Sequence, residues 1–204
     1  MARKHYNDPT ANHAIKNVER ALRGAQNRRA GGQFEGLIEA SLSWYEERGL
    51  ACIEKTPEAM KPLARPNRLG QFLACYTKKC QPDFKGTLKG GRSFVGEAKT
   101  TDADKIDQKV VTEKQTERMK KHHALGAACF VLVSFGFQDF YRIPWEVWRD
   151  MAEIYGRKHL KQPELEQYRV EYINGVLKLL EGVELKYNTE KGEKNGIGKS
   201  SDLK

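Results

Sequence analysis

The sequence predicts an α/β fold in which helices flank a mixed β-sheet and a basic segment is inserted between the early strands. Apolar residues from Phe34 to Tyr45 repeat at the spacing of one buried helical face. Residues 127–135 form a continuous apolar run, which is typical of a central strand. Between these two segments, residues 83–99 alternate in the manner of a β-hairpin with glycines at its turn.

The composition indicates one domain with appendages and an anionic partner. Of the 204 residues 39% are hydrophobic, and 36 Lys and Arg against 27 Asp and Glu give a net charge of +9. Nucleic acid is the commonest anionic partner of such proteins. No apolar run reaches the roughly 20 residues of a membrane helix, and no secretory signal is visible. We therefore expect a cytoplasmic protein without a membrane partner. The cysteine spacing favours reduced, buried thiols over disulfides or a zinc site.

Three regions follow one another along the chain. Residues 1–29 are a basic N-terminal arm whose weak apolar stripe leaves open an ordered helix or a mobile segment. Residues 30–185 are the folded domain, and residues 186–204 are a polar tail that we expect to be disordered. Arg28 and Arg29 of the arm are candidate nucleic-acid contacts. The domain is expected to contain, in order, a helix over about 31–48, a strand over 50–53, the hairpin, a helix over 112–124, strands over 127–135 and 137–143, a helix opened by Pro144 and a hairpin around Asn174-Gly175.

An insertion at about residues 57–80 separates the first strand from the hairpin. It is basic and carries aromatic side chains, and residues 59–82 contain no acidic residue. Such a segment is a plausible nucleic-acid contact, although an ordinary solvated loop is the alternative. The candidate DNA-binding residues here are Lys61, Arg65, Arg68, Phe72, Tyr76, Lys78 and Lys79.

The hairpin carries the candidate chemistry. If its loop is the three residues 89–91, Asp83 pairs directly with Glu97, and directly opposed residues share a face of the sheet with Cβ atoms roughly 5 Å apart. Lys99 then projects to the same side. Two carboxylates and a lysine at one point predict a metal-dependent nuclease site, with the apolar residues of the hairpin packed beneath a helix on the other face.

Two alternatives stay open at this stage. A two-residue loop of Gly90-Gly91 would shift the pairing by one and place the carboxylates on opposite faces. The charges could also belong to an ordinary solvated strand, since Asp and Glu are common at such positions.

The whole set of motifs resembles the PD-(D/E)XK nuclease fold. More narrowly, residues from about 27 to 148 resemble the RecU-type Holliday junction resolvases of Gram-positive bacteria and their phages. The matching features are Asn27-Arg28, Glu35 on the first helix, Lys55-Thr56-Pro57, Asp83-Phe84-Lys85-Gly86, Glu97-Ala98-Lys99-Thr100, and Gln115 among Glu113, Glu117 and Met119.

This resemblance implies a restriction-endonuclease-like sheet and a homodimer that resolves four-way DNA by paired symmetrical nicks in recombination and repair. The insertion would be a stalk that engages the junction centre, and recombination proteins of the host or phage would be further partners. Asp83 and Glu97 would ligate Mg²⁺, for which Mn²⁺ would substitute, and Lys99 would orient or activate the attacking water. Gln115 would complete the metal site by contacting the metal-bound water or Lys99, and Glu35 would be the acidic residue of the first helix beside it.

Each of these residues has a simpler interpretation. Thr112 and Gln115 also have the spacing of a helix capping box, Glu35 could be an exposed helical acid, and Lys99 a solvated lysine. The chain also departs from the family, which often has a hydroxyl residue shortly before the first acid, where this chain has Cys80-Gln81-Pro82.

Other functions compete with junction resolution. They are a nuclease of the same superfamily that acts on duplex or flap DNA, a junction-binding protein without catalysis, and an RNA-binding protein. The last lacks support, because the chain has neither the aromatic ribonucleoprotein motifs nor the Gly-x-x-Gly loop of common RNA-binding modules.

Overall fold

The fold follows the predicted order of helices and strands. The structure is a computed structural model that describes residues 9–57, 59–77 and 81–184, with side chains from residue 24 onwards. The elements are α1 (Pro9–Glu46), β1 (Ala51–Lys55), β2 (Met60–Pro62), β3 (Ala74–Tyr76), β4 (Phe84–Leu88), β5 (Ser93–Thr101), β6 (Lys105–Asp107), α2 (Glu113–Ala124), β7 (Ala128–Phe135), β8 (Asp139–Pro144), α3 (Trp145–Arg149), α4 (Met151–Tyr155), β9 (His159–Lys161), β10 (Arg169–Val170), β11 (Tyr172–Ile173) and β12 (Val176–Leu177).

A six-stranded mixed sheet in the order β1-β4-β5-β7-β8-β10 forms the centre of the fold. Strands β1, β4 and β5 are antiparallel neighbours. The pairing of β5 with β7 is parallel, and α2 makes the crossover between them. Strand β8 then pairs antiparallel with both β7 and β10. The predicted class, a mixed sheet flanked by helices, is confirmed.

Helix α1 is longer than the sequence predicted. Its C-terminal half buries Phe34, Ile38, Leu42 and Tyr45 on one face, as expected from their spacing. It begins at Pro9, however, and not near residue 31. The backbone of the predicted arm is therefore helical from Pro9 onwards. An ordered helix was one of the two alternatives for the arm, but the glycines and the weak apolar stripe before residue 33 lower the helical signal there. Residues 1–8 of the arm and all of the predicted tail lie outside the described residues.

Apolar clusters cover both faces of the sheet. Helix α1 closes one face over Phe84 and Phe94 of the hairpin. On the other face, Val95 belongs to a second cluster with Met119 of α2 and Trp145 of α3. The central residues of β5 are therefore buried on both sides, including the face that carries Glu97. The paired strand β7 is equally enclosed.

The insertion forms a separate β-hairpin. Strand β2 pairs antiparallel with β3, and the turn is held by Asn67, whose side-chain oxygen accepts hydrogen bonds from the backbone N–H groups of Leu69 and Gln71. Apart from Ala74, every residue described from 59 to 77 is exposed. We call residues 57–77 the stalk. Since neither face of this ribbon is buried, its sequence shows no alternation that would have predicted the two strands.

Several smaller expectations have clear outcomes. Trp145 and Trp148 are buried in the domain core. Asn174 and Gly175 adopt the predicted turn with φ of 50° and 83°. Cys129 is buried as expected, but Cys52 is exposed, which corrects the expectation of a buried thiol there. Among the described helices, none is both long and apolar enough to cross a membrane.

Gly86 is required by the close approach of β1 to β4. It lies opposite Ile53, and a Cβ atom added to it would overlap the backbone carbonyl of Cys52. Backbone atoms of a sheet cannot move aside without breaking the pairing that carries Asp83 at the start of β4. A glycine here is therefore a structural requirement of the site.

We expect Gly86→Ala to destabilise the protein by about 2 kcal/mol or more, because the added methyl group overlaps backbone. Urea unfolding measures this change. The matched control is Gly36→Ala, which lies in α1 with open space around its Cα and should stabilise the protein by up to about 1 kcal/mol. Equal effects of the two substitutions would contradict this account.

Candidate active site

The register of the hairpin brings Asp83 and Glu97 together. Phe84 pairs with Gly96, so the next position outward places Asp83 opposite Glu97. The N–H of Leu88 donates to the carbonyl of Arg92 at 2.8 Å and closes a three-residue loop. Both glycines of that loop have positive φ, 95° and 91°. The three-residue loop is thus the predicted one, and the alternative register does not occur.

Asp83 is fixed to the neighbouring strand by its side chain. One carboxylate oxygen, Oδ2, accepts a hydrogen bond from the backbone N–H of Ala98 at 2.9 Å. The backbone carbonyl of Asp83 accepts from the N–H of Thr56 at 2.7 Å on the opposite side. Asp83 is therefore held by β5 and by the residue that follows β1, even though it lies just before the first residue of β4.

Glu97 is a fully buried carboxylate. Its Oε1 accepts hydrogen bonds from Lys99 Nζ at 2.6 Å and from Gln115 Nε2. Its Oε2 is also buried and has no partner among the described residues. Burial raises the pKa of Glu97 from 4.5 to about 7, with Lys99 opposing the shift and Asp83 adding to it. The site therefore holds a carboxylate with one oxygen available for a ligand.

Lys99 lies where the hairpin geometry predicted. Its side chain is 20% exposed and forms an ion pair with Glu97. It thus links the buried carboxylate to the surface and is not an ordinary solvated lysine. The two residues share a face of β5 because they are two positions apart.

Gln115 forms the helix cap that was one of its two predicted roles, and its side chain also contacts Glu97, not Lys99. Its Oε1 accepts from the backbone N–H of Thr112 at 2.9 Å, and the Thr112 hydroxyl in turn caps the Gln115 backbone. Because a backbone N–H only donates, the amide oxygen must face Thr112 and the amide nitrogen must face Glu97. Gln115 therefore presents a hydrogen-bond donor to the site, not an oxygen.

Glu35 lies on the other side of the sheet, on α1. Its carboxylate contacts Lys55 Nζ at 2.9 Å, and Glu39 contacts the same ammonium at 3.0 Å. These two carboxylates raise the pKa of Lys55. The hydrogen bonds of the described residues do not join Glu35 to Asp83, Glu97 or Lys99. It approaches the site only through Lys55, which pairs with Phe84 beside Asp83.

Three basic residues that were not predicted as site residues lie near Asp83 or Gln115 in the chain. Lys85 is two residues beyond Asp83 and shares its face, while Arg118 and His122 follow Gln115 on α2 at helical spacing. Burial lowers the pKa of His122, and the charges of Lys85 and Arg118 add to this effect. In the described structure neither Lys85 nor Arg118 forms an ion pair. The i, i+3, i+7 spacing from Gln115 was a signal for Arg118 and His122.

The predicted DNA-binding residues lie on other elements. Lys61, Arg65, Arg68, Phe72 and Tyr76 are exposed on the stalk, and both Arg28 and Arg29 are exposed on α1. Lys78 and Lys79 lie outside the described residues. The strands of the stalk form a two-stranded sheet apart from the central one.

The donor set suits a hard divalent cation. No group of three or more His, Cys, Asp or Glu side chains that could hold a metal occurs in the part of the chain that the structure describes. Asp83 and Glu97 do supply two carboxylates, however, and no described residue hydrogen-bonds to the buried Oε2 of Glu97. Mg²⁺ is commonly held by one or two carboxylates together with water and substrate phosphate. These residues therefore fit such an ion.

Comparison with known families identifies the chain. The family model described as recombination protein U, RecU, matches residues 29–185. The chain belongs to the RecU family. As a RecU protein it is a Holliday-junction-resolving endonuclease that binds branched DNA and acts in recombination and repair, and nothing supports the competing functions. Resolvases of this kind generally depend on a divalent metal ion.

Comparisons with solved structures and with curated proteins add little to this family assignment. A Holliday junction resolvase, Hjc, from the archaeal hyperthermophile Archaeoglobus fulgidus is similar over 64% of this RecU chain and 90% of that chain, with 11% sequence identity and a TM-score of 0.41. No curated protein matches the sequence.

We expect Glu97→Gln to remove a pH dependence of stability from the metal-free protein. Between pH 4.5 and 7 the unfolded chain loses the Glu97 proton and the folded chain keeps it, so the free energy of unfolding falls as pH rises and stays low above pH 7. The raised pKa corresponds to a loss of up to about 3 kcal/mol, which the glutamine avoids.

Urea unfolding between pH 4 and 8.5 in the presence of a chelator measures this difference. The control is Glu171→Gln, which replaces an exposed glutamate and should leave the pH profile of the parent unchanged. A Glu97→Gln profile parallel to that of the parent would show that Glu97 ionises normally.

Proposed function

We propose that this RecU protein cuts four-way DNA junctions by Mg²⁺-dependent hydrolysis at Asp83, Glu97 and Lys99, leaving paired symmetrical nicks. The observation that carries the proposal is the buried Glu97 carboxylate, with one oxygen held by Lys99 and Gln115 and the other without a partner. A structural carboxylate in a core would have both oxygens satisfied. A ligand is therefore expected at Oε2 of Glu97 in the active protein.

Asp83 and Glu97 would hold the Mg²⁺ ion, and Mn²⁺ would substitute for it. When bound, such an ion lowers the pKa of water and neutralises charge on phosphate. Asp83 is already oriented by the N–H of Ala98, so little rearrangement is needed. The raised pKa of Glu97 means that a cation also removes the cost of keeping two carboxylates close together.

Lys99 has two tasks in this proposal. Its ammonium balances the charge of Glu97, and its partial exposure lets it donate a hydrogen bond to a phosphate oxygen or to the attacking water. Gln115 is a positioning residue, since its nitrogen holds Glu97 while its oxygen stays on Thr112. Glu35 acts at greater distance by holding Lys55 beside the start of β4.

DNA would contact the protein at two surfaces. Near the site, Lys85, Arg118 and His122 would bind phosphates that flank the cut bond, and the effect of the first two on the pKa of His122 supports their grouping. The stalk would enter the open centre of a junction, where its cations meet backbone phosphates and its exposed Phe72 and Tyr76 stack on bases. Arg28 and Arg29 would add contacts from α1.

A homodimer fits this function. A four-way junction has approximate two-fold symmetry, and two nicks at equivalent positions need two active sites related in the same way. One described chain contains one such site. The proposal therefore includes a dimer in which each copy cuts one strand.

We expect the parent protein to make paired symmetrical nicks in a labelled four-way junction with Mg²⁺, and Asp83→Asn to bind the junction without cutting it. The amide keeps the size of the side chain but removes the charge that holds the cation. Denaturing gels measure the nicks and gel shifts measure binding.

Asp102→Asn is the control, since Asp102 is an exposed acid in the loop after β5, and it should cut normally. A matched linear duplex and a flap substrate should be cut poorly by the parent. Preferential cutting of either one would favour a different nuclease, and equal cutting by Asp83→Asn would place the chemistry elsewhere.

We expect the triple variant Lys61→Ala, Arg65→Ala, Arg68→Ala to lose more than about tenfold in junction affinity at moderate salt. Each lost phosphate contact should lower the slope of log K against log salt by about 0.9. Filter binding at several salt concentrations measures this, and stability should not change because the three residues are exposed.

A charge-matched control replaces Lys105, Lys158 and Lys161, three exposed lysines on or beside β6 and β9. If this control weakens binding as much as the stalk variant does, net charge and not the stalk determines affinity.

A further inference from the structure

Thr56 continues the row of side chains that contains both proposed metal ligands. Lys55 is paired with Phe84 between β1 and β4, so the next residues along, Thr56 and Asp83, oppose each other. The Thr56 N–H donates to the Asp83 carbonyl at 2.7 Å, as an opposed antiparallel pair requires. Asp83 in turn opposes Glu97. The three residues cross three neighbouring strands at one level of the sheet.

The side chain of Thr56 also points to the face of the sheet that carries Asp83 and Glu97. That of Lys55 points towards α1, because it contacts Glu35 and Glu39 of that helix. Successive side chains of an extended strand point to opposite faces. Thr56 therefore faces away from α1, and so does Glu97, whose neighbour Ala98 packs in the cluster under α1.

The Thr56 hydroxyl is buried and has no hydrogen-bond partner among the described residues. Glu97 Oε2, in the same row of side chains, is likewise buried and without a hydrogen-bond partner among the described residues. Asp83 lies between these two oxygens. Buried polar atoms in folded proteins almost always have partners, so two unpaired oxygens on either side of one carboxylate indicate that the same absent group satisfies both.

We propose that Thr56 is a positioning residue of the metal site, whose hydroxyl bonds a water molecule in the hydration shell of the ion held by Asp83 and Glu97. This inference rests on the proposed function. It also gives the site a hydroxyl from β1, although the segment before Asp83 supplies none. Since Mg²⁺ keeps several of its waters in proteins, groups that hold those waters contribute to affinity without touching the ion.

The test compares Thr56→Val, which keeps the shape of the side chain but removes the hydroxyl, with Thr56→Ser, which keeps the hydroxyl. Mn²⁺ binding to the full chain without DNA is measured from the EPR signal of the free ion. We expect Thr56→Val to weaken Mn²⁺ binding about tenfold and Thr56→Ser to bind within about threefold of the parent. Junction cutting by Thr56→Val should recover at high Mn²⁺ concentration.

Thr87→Val is the matched control. Thr87 lies on the same face of the sheet as Asp83 and Thr56 but is exposed, so this variant should bind Mn²⁺ as the parent does. Urea unfolding without metal should show Thr56→Val to be at least as stable as the parent, since it removes an unpaired buried hydroxyl.

Two results would overturn the inference in distinguishable ways. If the parent binds Mn²⁺, Asp83→Asn does not, and Thr56→Val binds normally, Thr56 has only a packing role and the proposed function stands. If the parent itself neither binds Mn²⁺ nor cuts junctions, the proposed function fails and the role of Thr56 fails with it.

Discussion

The burial of Glu97 in a central strand is the constraint on which the site depends. A buried carboxylate cannot remain charged without compensation, and among the described residues only one of its oxygens has hydrogen-bond partners. Lys99 and Gln115 hold that oxygen. Burial raises the pKa of Glu97 to about 7, and the charge of Lys99 keeps the pKa from rising further.

The hairpin was predictable because short-range geometry determines it. A three-residue loop with glycines at the turn allows one register, and that register alone brings Asp83 and Glu97 onto one face. The apolar patterns of α1, β7 and β8 also predicted these elements, since each element has one or two buried faces. Such features need only the periodicity of one element or the pairing of adjacent strands.

Features that depend on distant segments were missed. Nothing near Gln115 in the sequence shows that its nitrogen meets Glu97, because α2 reaches the site only after β5 and β7 have paired. The ion-pair partners of Lys55 are carboxylates of α1, well before Lys55 in the chain. The stalk strands were hidden for the opposite reason: they pack against nothing, so no hydrophobic pattern marks them. The early start of α1 was likewise masked by glycines that ordinarily interrupt helices.

The crossover from β5 through α2 to β7 places Glu97 and its polar partners in one supersecondary unit. Glu97, Lys99 and Gln115 all belong to this βαβ unit, whereas Asp83 and Thr56 come from the antiparallel segments before it. The unit that buries Glu97 therefore also supplies both side chains that hydrogen-bond to it. A change that loosened the packing of α2 would withdraw Gln115 from the carboxylate and expose the carboxylate to water together.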